Sequence, residues 1–145
     1  MIREMSPNDR KDIDEMQFEL QEYFSTIDQT HESLPYKTIE DAHLYMSRMI
    51  DDVEKMNGII FVAEEDSQIV GFIQGVIIEH KNGDDKTYDL THAPSKEGWV
   101  GLLFVRPECR NKGIGQNLLT EIKTISNPKT APVSNFWFYP TTLML

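Results

Sequence analysis

One segment constrains the architecture of this chain more than any other. The apolar run Trp99-Val100-Gly101-Leu102-Leu103-Phe104-Val105 is followed by a polar turn, and then by glycines that open an amphipathic stretch. A continuous apolar run of this length, bounded by turn residues, is a buried strand. Beyond Arg106 to Lys112, the residues Ile114, Leu118, Leu119, Ile122 and Ile125 recur on one helical face from Gly113 onward. Asn127-Pro128 ends that pattern. A buried strand leading into an apolar-faced helix needs a sheet for the helix to cover. The fold class is therefore α/β or α+β, with helices packed on a mixed sheet.

The rest of the chain supplies the other elements. Ile2 to Met5 is a short strand that stops at Ser6-Pro7, a helix start signal. Ile13, Met16, Phe18, Leu20, Tyr23, Phe24 and Ile27 then follow at roughly helical spacing. Ser25 to Lys37 is a polar loop. Thr38 to Met56 is a second helix, with Ile39, Ala42, Tyr45, Met46, Met49, Ile50 and Val53 on one face and Asn57-Gly58 closing it. Ile59–Ala63 and Ile69–Glu79 are strands joined by the turn Glu64 to Gln68. His80 to Gly98 is a polar excursion without periodicity, and Val133 to Tyr139 is a last strand. The predicted order is β-α-α-β-β-β-α-β, in one domain spanning residues 1–145.

Charge and composition exclude several function classes. The net charge is −10, which argues against nucleic-acid binding through phosphate neutralisation. The charge is uneven. Residues 1–97 carry 9 basic and 22 acidic side chains, whereas residues 98–145 carry 5 basic and 2 acidic ones. That asymmetry suits an anion near the C-terminal part and a cation near the rest, and it equally suits a solvated acidic surface. No apolar run reaches membrane-spanning length, and the N-terminus has no secretory apolar region. The single cysteine, Cys109, offers no internal disulfide, and a cytoplasmic location is expected. His31, His43, His80 and His92 show no ligand-type spacing, so no metal is expected.

One constellation carries chemistry. In Arg110-Asn111-Lys112-Gly113-Ile114-Gly115, small residues stand where the chain turns into a helix. Glycine lets the backbone approach a ligand closely. The first helical turn leaves N–H groups without internal partners, and with the macrodipole they attract phosphate. Arg110 and Lys112 add positive charge. The segment is neither a dinucleotide fingerprint nor a P-loop. On the residues alone, a plain strand-to-helix turn is the alternative.

The pattern Val105-x-Pro107-x-x-Arg110-x-x-Gly113-Ile114-Gly115-x-x-Leu118-Leu119 closely resembles the acyl-CoA-binding motif of the GNAT superfamily of N-acetyltransferases. The opening Ile2-Arg3-Glu4-Met5-Ser6-Pro7-Asn8-Asp9 and the Gly71-Phe72-Ile73 strand are similar to that family as well. The resemblance implies a GNAT-like fold and transfer of an acetyl group from acetyl-CoA to a small, cationic amine or an exposed amino group. It implies that the backbone N–H groups of Arg110, Asn111, Lys112, Gly113, Ile114 and Gly115 hold the CoA pyrophosphate. Main-chain groups near Leu103 and Val105 would bind the pantetheine arm, and one would polarise the thioester carbonyl. A general base must take the amine's proton. Where the family often has a carboxylate on the fourth strand, this chain has Trp99. Glu97, two residues earlier on the same strand face, is the base candidate, with His92 as the alternative. Asp28, His31 and Glu32 fall where the family recognises acceptors. Cys109 is incidental to this mechanism.

The C-terminus departs from the family. Set against the resemblance, the usual last helix and two strands are expected to be lacking, with Leu145 six residues after Tyr139. The apolar tail Asn135 to Leu145 would leave a sheet edge open. Homodimerisation is expected to cover it; a truncated product, or another packing of the tail, are the alternatives. A non-catalytic acyl-CoA-binding module is the alternative function.

Overall fold

The computed structural model describes residues 1–80, 95–125 and 135–138. The elements in chain order are β1 (Ile2–Glu4), a 3-10 turn (Pro7–Asp9), α1 (Arg10–Ile27), α2 (Ile39–Lys55), β2 (Ile59–Glu65), β3 (Gln68–His80), β4 (Ser95–Val105), a second 3-10 turn (Pro107–Cys109), α3 (Ile114–Ile122) and β5 (Asn135–Phe138). This is the predicted order, built on one sheet with spatial order β1-β2-β3-β4-β5. The first four strands are antiparallel, and β5 runs parallel to β4. Among the described residues no helix is long and apolar enough to cross a membrane.

Each helix forms for a local reason. Thr38 and Asp41 make a capping box that satisfies the first amides of α2. Ser6 and Asp9 do the same ahead of α1, with Pro7 at the first position of the 3-10 turn. The β2–β3 hairpin closes on Asp66 and Ser67, both at positive φ (48° and 63°). A two-residue loop of that kind matches the twist of the strands it joins.

The sheet carries a core on each face. Ile13, Met16, Leu20 and Met46 of α1 and α2 pack on Ile60, Val62, Phe72, Leu102 and Phe104. On the other face, Ile114, Leu118 and Ile122 of α3 pack on Phe61, Ile73, Leu103 and Val105. The two N-terminal helices are joined through buried Asp14. One oxygen accepts from Arg10 Nε at 2.7 Å, and the other lies 2.6 Å from His43 Nδ1. Arg10 Nη2 also reaches Ser47 Oγ at 2.8 Å, so one carboxylate fixes the spacing of both helices.

The predicted polar excursion from His80 to Gly98 needs correction at both ends. β3 extends to His80 and β4 begins at Ser95, four residues before Trp99. Polar Ser95-Lys96-Glu97-Gly98 pairs with Ile77 to His80, and Lys96 Nζ lies 2.8 Å from Glu79 Oε1 across the ladder. Cross-strand pairing, rather than apolar alternation, makes this segment strand. His92, Asn127-Pro128 and the tail from Tyr139 lie outside the described residues. α3 ends at Ile122 rather than Ile125. Its last turn tightens through bonds from Thr124 N to Glu121 O and from Ile125 N to Ile122 O.

Candidate functional site

The strand–turn–helix segment forms an open cleft of about 180 Å³, lined among others by Val105, Arg110, Asn111, Gly113, Ile114 and Gly115. Asn111 and Gly113 take left-handed conformations at φ 62° and 81°, with Lys112 between them. Such alternation turns successive amides towards one concavity. Gly113 is the N-cap of α3. The helix ladder starts with Asn117 N donating to Gly113 O at 2.9 Å, so the amides of Ile114, Gly115 and Gln116 precede it. Backbone dipoles therefore supply the positive potential here.

The basic side chains behave differently from one another. Arg110 folds back. Its Nε donates to the Val105 carbonyl at 2.9 Å, and its guanidinium lies 5.6 Å from the centre of the Phe104 ring. It braces the turn as well as charging it. Lys112 is exposed, with Nζ 3.9 Å from Glu65 Oε2.

β4 carries the connection to the other face. Arg106 N donates to Val70 O at 2.8 Å, which makes Arg106 and Val70 a hydrogen-bonded pair. In an antiparallel ladder hydrogen-bonded and non-bonded pairs alternate. Val105 opposite Gly71 and Leu103 opposite Ile73 are then non-bonded pairs. The main-chain N–H and C=O of Leu103 and Val105 thus point away from β3. The β4–β5 register covers only Glu97 to Val100 among the described residues. Their main-chain groups therefore face the β5 side of the sheet, beyond the part of the β4–β5 register found among the described residues.

A bulge interrupts β4 at that same point. Gln74 pairs with Leu102 and Gly75 with Val100, leaving Gly101 as the extra residue. On the α1–α2 face a second cleft of about 450 Å³ opens beside it, lined by residues of α1, α2, β3 and β4. Apolar walls come from Phe24, Tyr45, Met49, Val76, Ile78 and Leu102. Gln17, Gln21, Ser33, Gln74 and Asp52 supply the polar groups. Gln17 and Gln74 are 1% and 3% exposed, and the Oε1 of each has no hydrogen-bond partner among the described residues. Burial pushes the Tyr45 phenol upward, so it stays neutral and able to donate at physiological pH.

The remaining predicted residues fall around this second cleft rather than in it. Glu97 stands opposite Ile78, whose side chain lines the cleft, and cross-strand neighbours share a face. Trp99 stands opposite Val76 on that face. Asp28 caps its own loop. Its oxygens accept from Thr30 N at 2.8 Å, Thr30 Oγ1 at 2.7 Å and Ser33 N at 2.6 Å. These bonds hold its carboxyl well below the usual range. His31 sits at a left-handed φ of 57° and is exposed, as is Glu32. Asp28 reaches the cleft indirectly, by holding Ser33 at its wall. Gln17 and Gln74 have a sequence signal of their own. Each is a glutamine on a mostly apolar buried face, among Ile13, Met16 and Leu20 in one case and among Phe72, Val76 and Ile78 in the other.

The arrangement sets a turn lined by main-chain amides and an apolar cleft with buried carboxamides on either side of one bulged strand. Comparison with known proteins agrees with this geometry. The description "Acetyltransferase (GNAT) family" applies to a pattern that matches residues 16–129. No curated protein matches the chain significantly. Among solved structures, an acetyltransferase from Vibrio fischeri superposes with a TM-score of 0.66 at 20% identity, covering 95% of this chain and 93% of that one. A tetramutant of a Bacillus halodurans protein gives 0.72 at 18% identity, covering 96% and 81%. A predicted acetyltransferase from Clostridium acetobutylicum, solved with acetyl-CoA, gives 0.63 at 14% identity, covering 96% and 79%. With the pattern spanning most of its length, this chain belongs to the GNAT acetyltransferase family.

Proposed function

We propose that this chain transfers an acetyl group from acetyl-CoA directly to the primary amine of a small, cationic molecule or to an exposed amino group. The observation that carries the reading is the continuity between two features. The amides at the start of α3 line an open cleft, and the main-chain groups of Leu103 and Val105 lead from it to the bulge at Gly101. A pyrophosphate fits the first feature, since it needs converging N–H donors and little side-chain charge. An extended amide-bearing arm fits the second, since it can add main-chain hydrogen bonds to groups such as the N–H of Leu103 and Val105, which point away from β3.

The transfer forms a C–N bond and breaks a C–S bond. The sulfur leaves as thiolate, and the amine loses a proton. A main-chain N–H near the bulge stabilises the oxyanion. Glu97 takes the amine's proton, directly or through water, from its position opposite Ile78. A neutral amine is the reacting form, so the rate should rise with pH until the amine is deprotonated.

Calorimetric titration with acetyl-CoA tests the reading first. Saturable binding near one per chain is expected, followed by thiol release when a panel of amines is added. A folded protein that binds no acetyl-CoA overturns it. Binding without thiol release for any amine assigns the chain to acyl-CoA binding without turnover.

A further inference from the structure

We infer that the 450 Å³ cleft between α1, α2 and the β4 bulge takes an apolar-bodied amine that carries no carboxylate, and that Gln17 and Gln74 read its N–H groups. The inference rests on the acetyl-transfer reading and names the acceptor class for it.

The cleft floor supports it first. Gln17 and Gln74 are both more than nine-tenths buried, and each keeps a carbonyl oxygen without a partner among the described residues. Buried carbonyls are nearly always paired, because an unmade bond costs stability that leucine or methionine in the same place would avoid. Two such oxygens at one cleft are acceptors that no described residue fills and that a ligand's N–H groups would satisfy. Gln17 Nε2 lies 3.4 Å from the Tyr36 hydroxyl, which orients its carboxamide and leaves Oε1 over. Gln74 Oε1 sits over Gly101, in the space a Cβ there would occupy. The terminal torsion of glutamine is soft, so a small rotation presents either oxygen to a ligand donor.

Charge supports it second. Asp52 is the one charged residue lining the cleft among the described residues. It is exposed, so it stands at the mouth, while the glutamines are deep. An incoming ammonium meets a counter-charge there. A carboxylate-bearing acceptor meets that charge with no cation to offset it, because no Lys or Arg faces it from the described lining. The apolar walls select for body: a carbon chain or ring gains by burial there, and a polyhydroxylated amine loses its hydration without replacement.

The test compares 2-phenylethylamine with L-phenylalanine, which differs by the carboxylate. Both are assayed by thiol release from acetyl-CoA, and by calorimetry with no CoA present. The amine is expected to exceed the amino acid at least tenfold in kcat/KM. Gln17→Leu and Gln74→Leu should each lower kcat/KM for the amine about ten- to a hundredfold, with acetyl-CoA affinity unchanged. Asp52→Asn, at an exposed position, should narrow the gap between the two compounds even where a glutamine variant fails to fold. Equal or better use of phenylalanine, or folded glutamine variants with unchanged amine kinetics, overturns the inference while acetyl transfer stands. If acetyl-CoA does not bind, the transfer reading fails. Direct titration then decides this one: saturable phenylethylamine binding weakened by Gln74→Leu keeps it, and no binding ends it.

Discussion

Arg106 Nη1 donates to Glu19 Oε1 at 3.0 Å, joining α1 to the first residue after β4 across a separation of 87 positions. The same guanidinium donates from Nε to Ile69 O at 3.2 Å, and its Nη2 lies 3.6 Å from Glu15 and 3.8 Å from Asp12. The turn that opens the cleft at the start of α3 thus starts from an arginine held on two sides.

That pair has a pH signature. Burial pushes the Glu19 carboxyl upward, and Arg106 opposes the shift. A carboxyl whose folded pKa lies above its unfolded one favours the folded state when protonated, and disfavours it as pH rises through the folded value. Arg106→Leu removes the opposing charge. The variant should lose about 1–2 kcal/mol at pH 7, allowing for partial exposure, and less at pH 4. Urea unfolding at the two pH values measures this. Equal losses at both would assign the effect to packing alone.

Gly113 sits at φ 81°, and nothing lies within 4 Å of where its Cβ would be. The constraint is the backbone, not space. Gly113→Ala should lose about 1–2 kcal/mol, the usual penalty for a left-handed residue with a Cβ. Gly113→Asn should lose less, since asparagine tolerates that conformation. Urea midpoints for the two variants separate these cases, and acetyl-CoA affinity should fall in the same order. Equal losses would point to crowding instead.

Much of this was legible because one-residue requirements leave marks. A left-handed N-cap demands glycine, so Gly113 announces the turn before α3. Two-layer packing needs apolar residues at helical spacing, so α1, α2 and α3 show in the pattern. The start of β4 left no such mark. Ser95-Lys96-Glu97-Gly98 has no apolar alternation, and its strand state comes from pairing with Ile77 to His80. Register is a property of two segments, and neither one contains it. The bulge at Gly101 was hidden for the same reason. In the candidate site, the amides at Gly113 to Gly115 follow from local sequence. The second cleft instead joins residues of α1, α2, β3 and β4, which only the fold brings together. Asp28 shows the converse: its type suits a cationic ligand, while its loop position commits both oxygens to Thr30 and Ser33.

Asp9 offers an acid-stability test. It is 5% exposed and accepts from Arg3 Nη1 and Nη2 at 2.7 and 2.8 Å, and from Ser6 N at 2.7 Å. The Arg3 guanidinium first, and then the Ser6 donors, hold its carboxyl well below the ordinary range against the penalty of burial. A depressed folded pKa gives stability that is present above the unfolded value and lost as pH falls towards the folded one. Asp9→Asn should therefore cost about 2–3 kcal/mol at neutral pH. The gap to the unmodified protein should narrow progressively as pH falls below about 4, where the unfolded carboxyl begins to protonate. Thermal unfolding from pH 7 to pH 2 follows it, and a gap constant to pH 2 would deny the charge a role.

Gly101→Ala tests the geometry of the bulge. The atoms nearest to a Cβ at this position all belong to the Gln74 carboxamide, with Cδ at 3.2 Å and Nε2 at 3.6 Å. That group ends a flexible side chain, so it can swing aside where a backbone atom could not. Gly101→Ala should change stability by less than about 1 kcal/mol. The displaced carboxamide must move into the cleft, however, and amine KM should rise while acetyl-CoA affinity holds. In a Gln74→Ala background the obstacle is gone, and the same substitution should leave KM unchanged. A double-mutant cycle on KM and on urea stability then reports a coupling of about 0.5–1 kcal/mol between two residues on neighbouring strands. Additive effects would mean that Gln74 does not hold the position over Gly101 on which acceptor recognition depends.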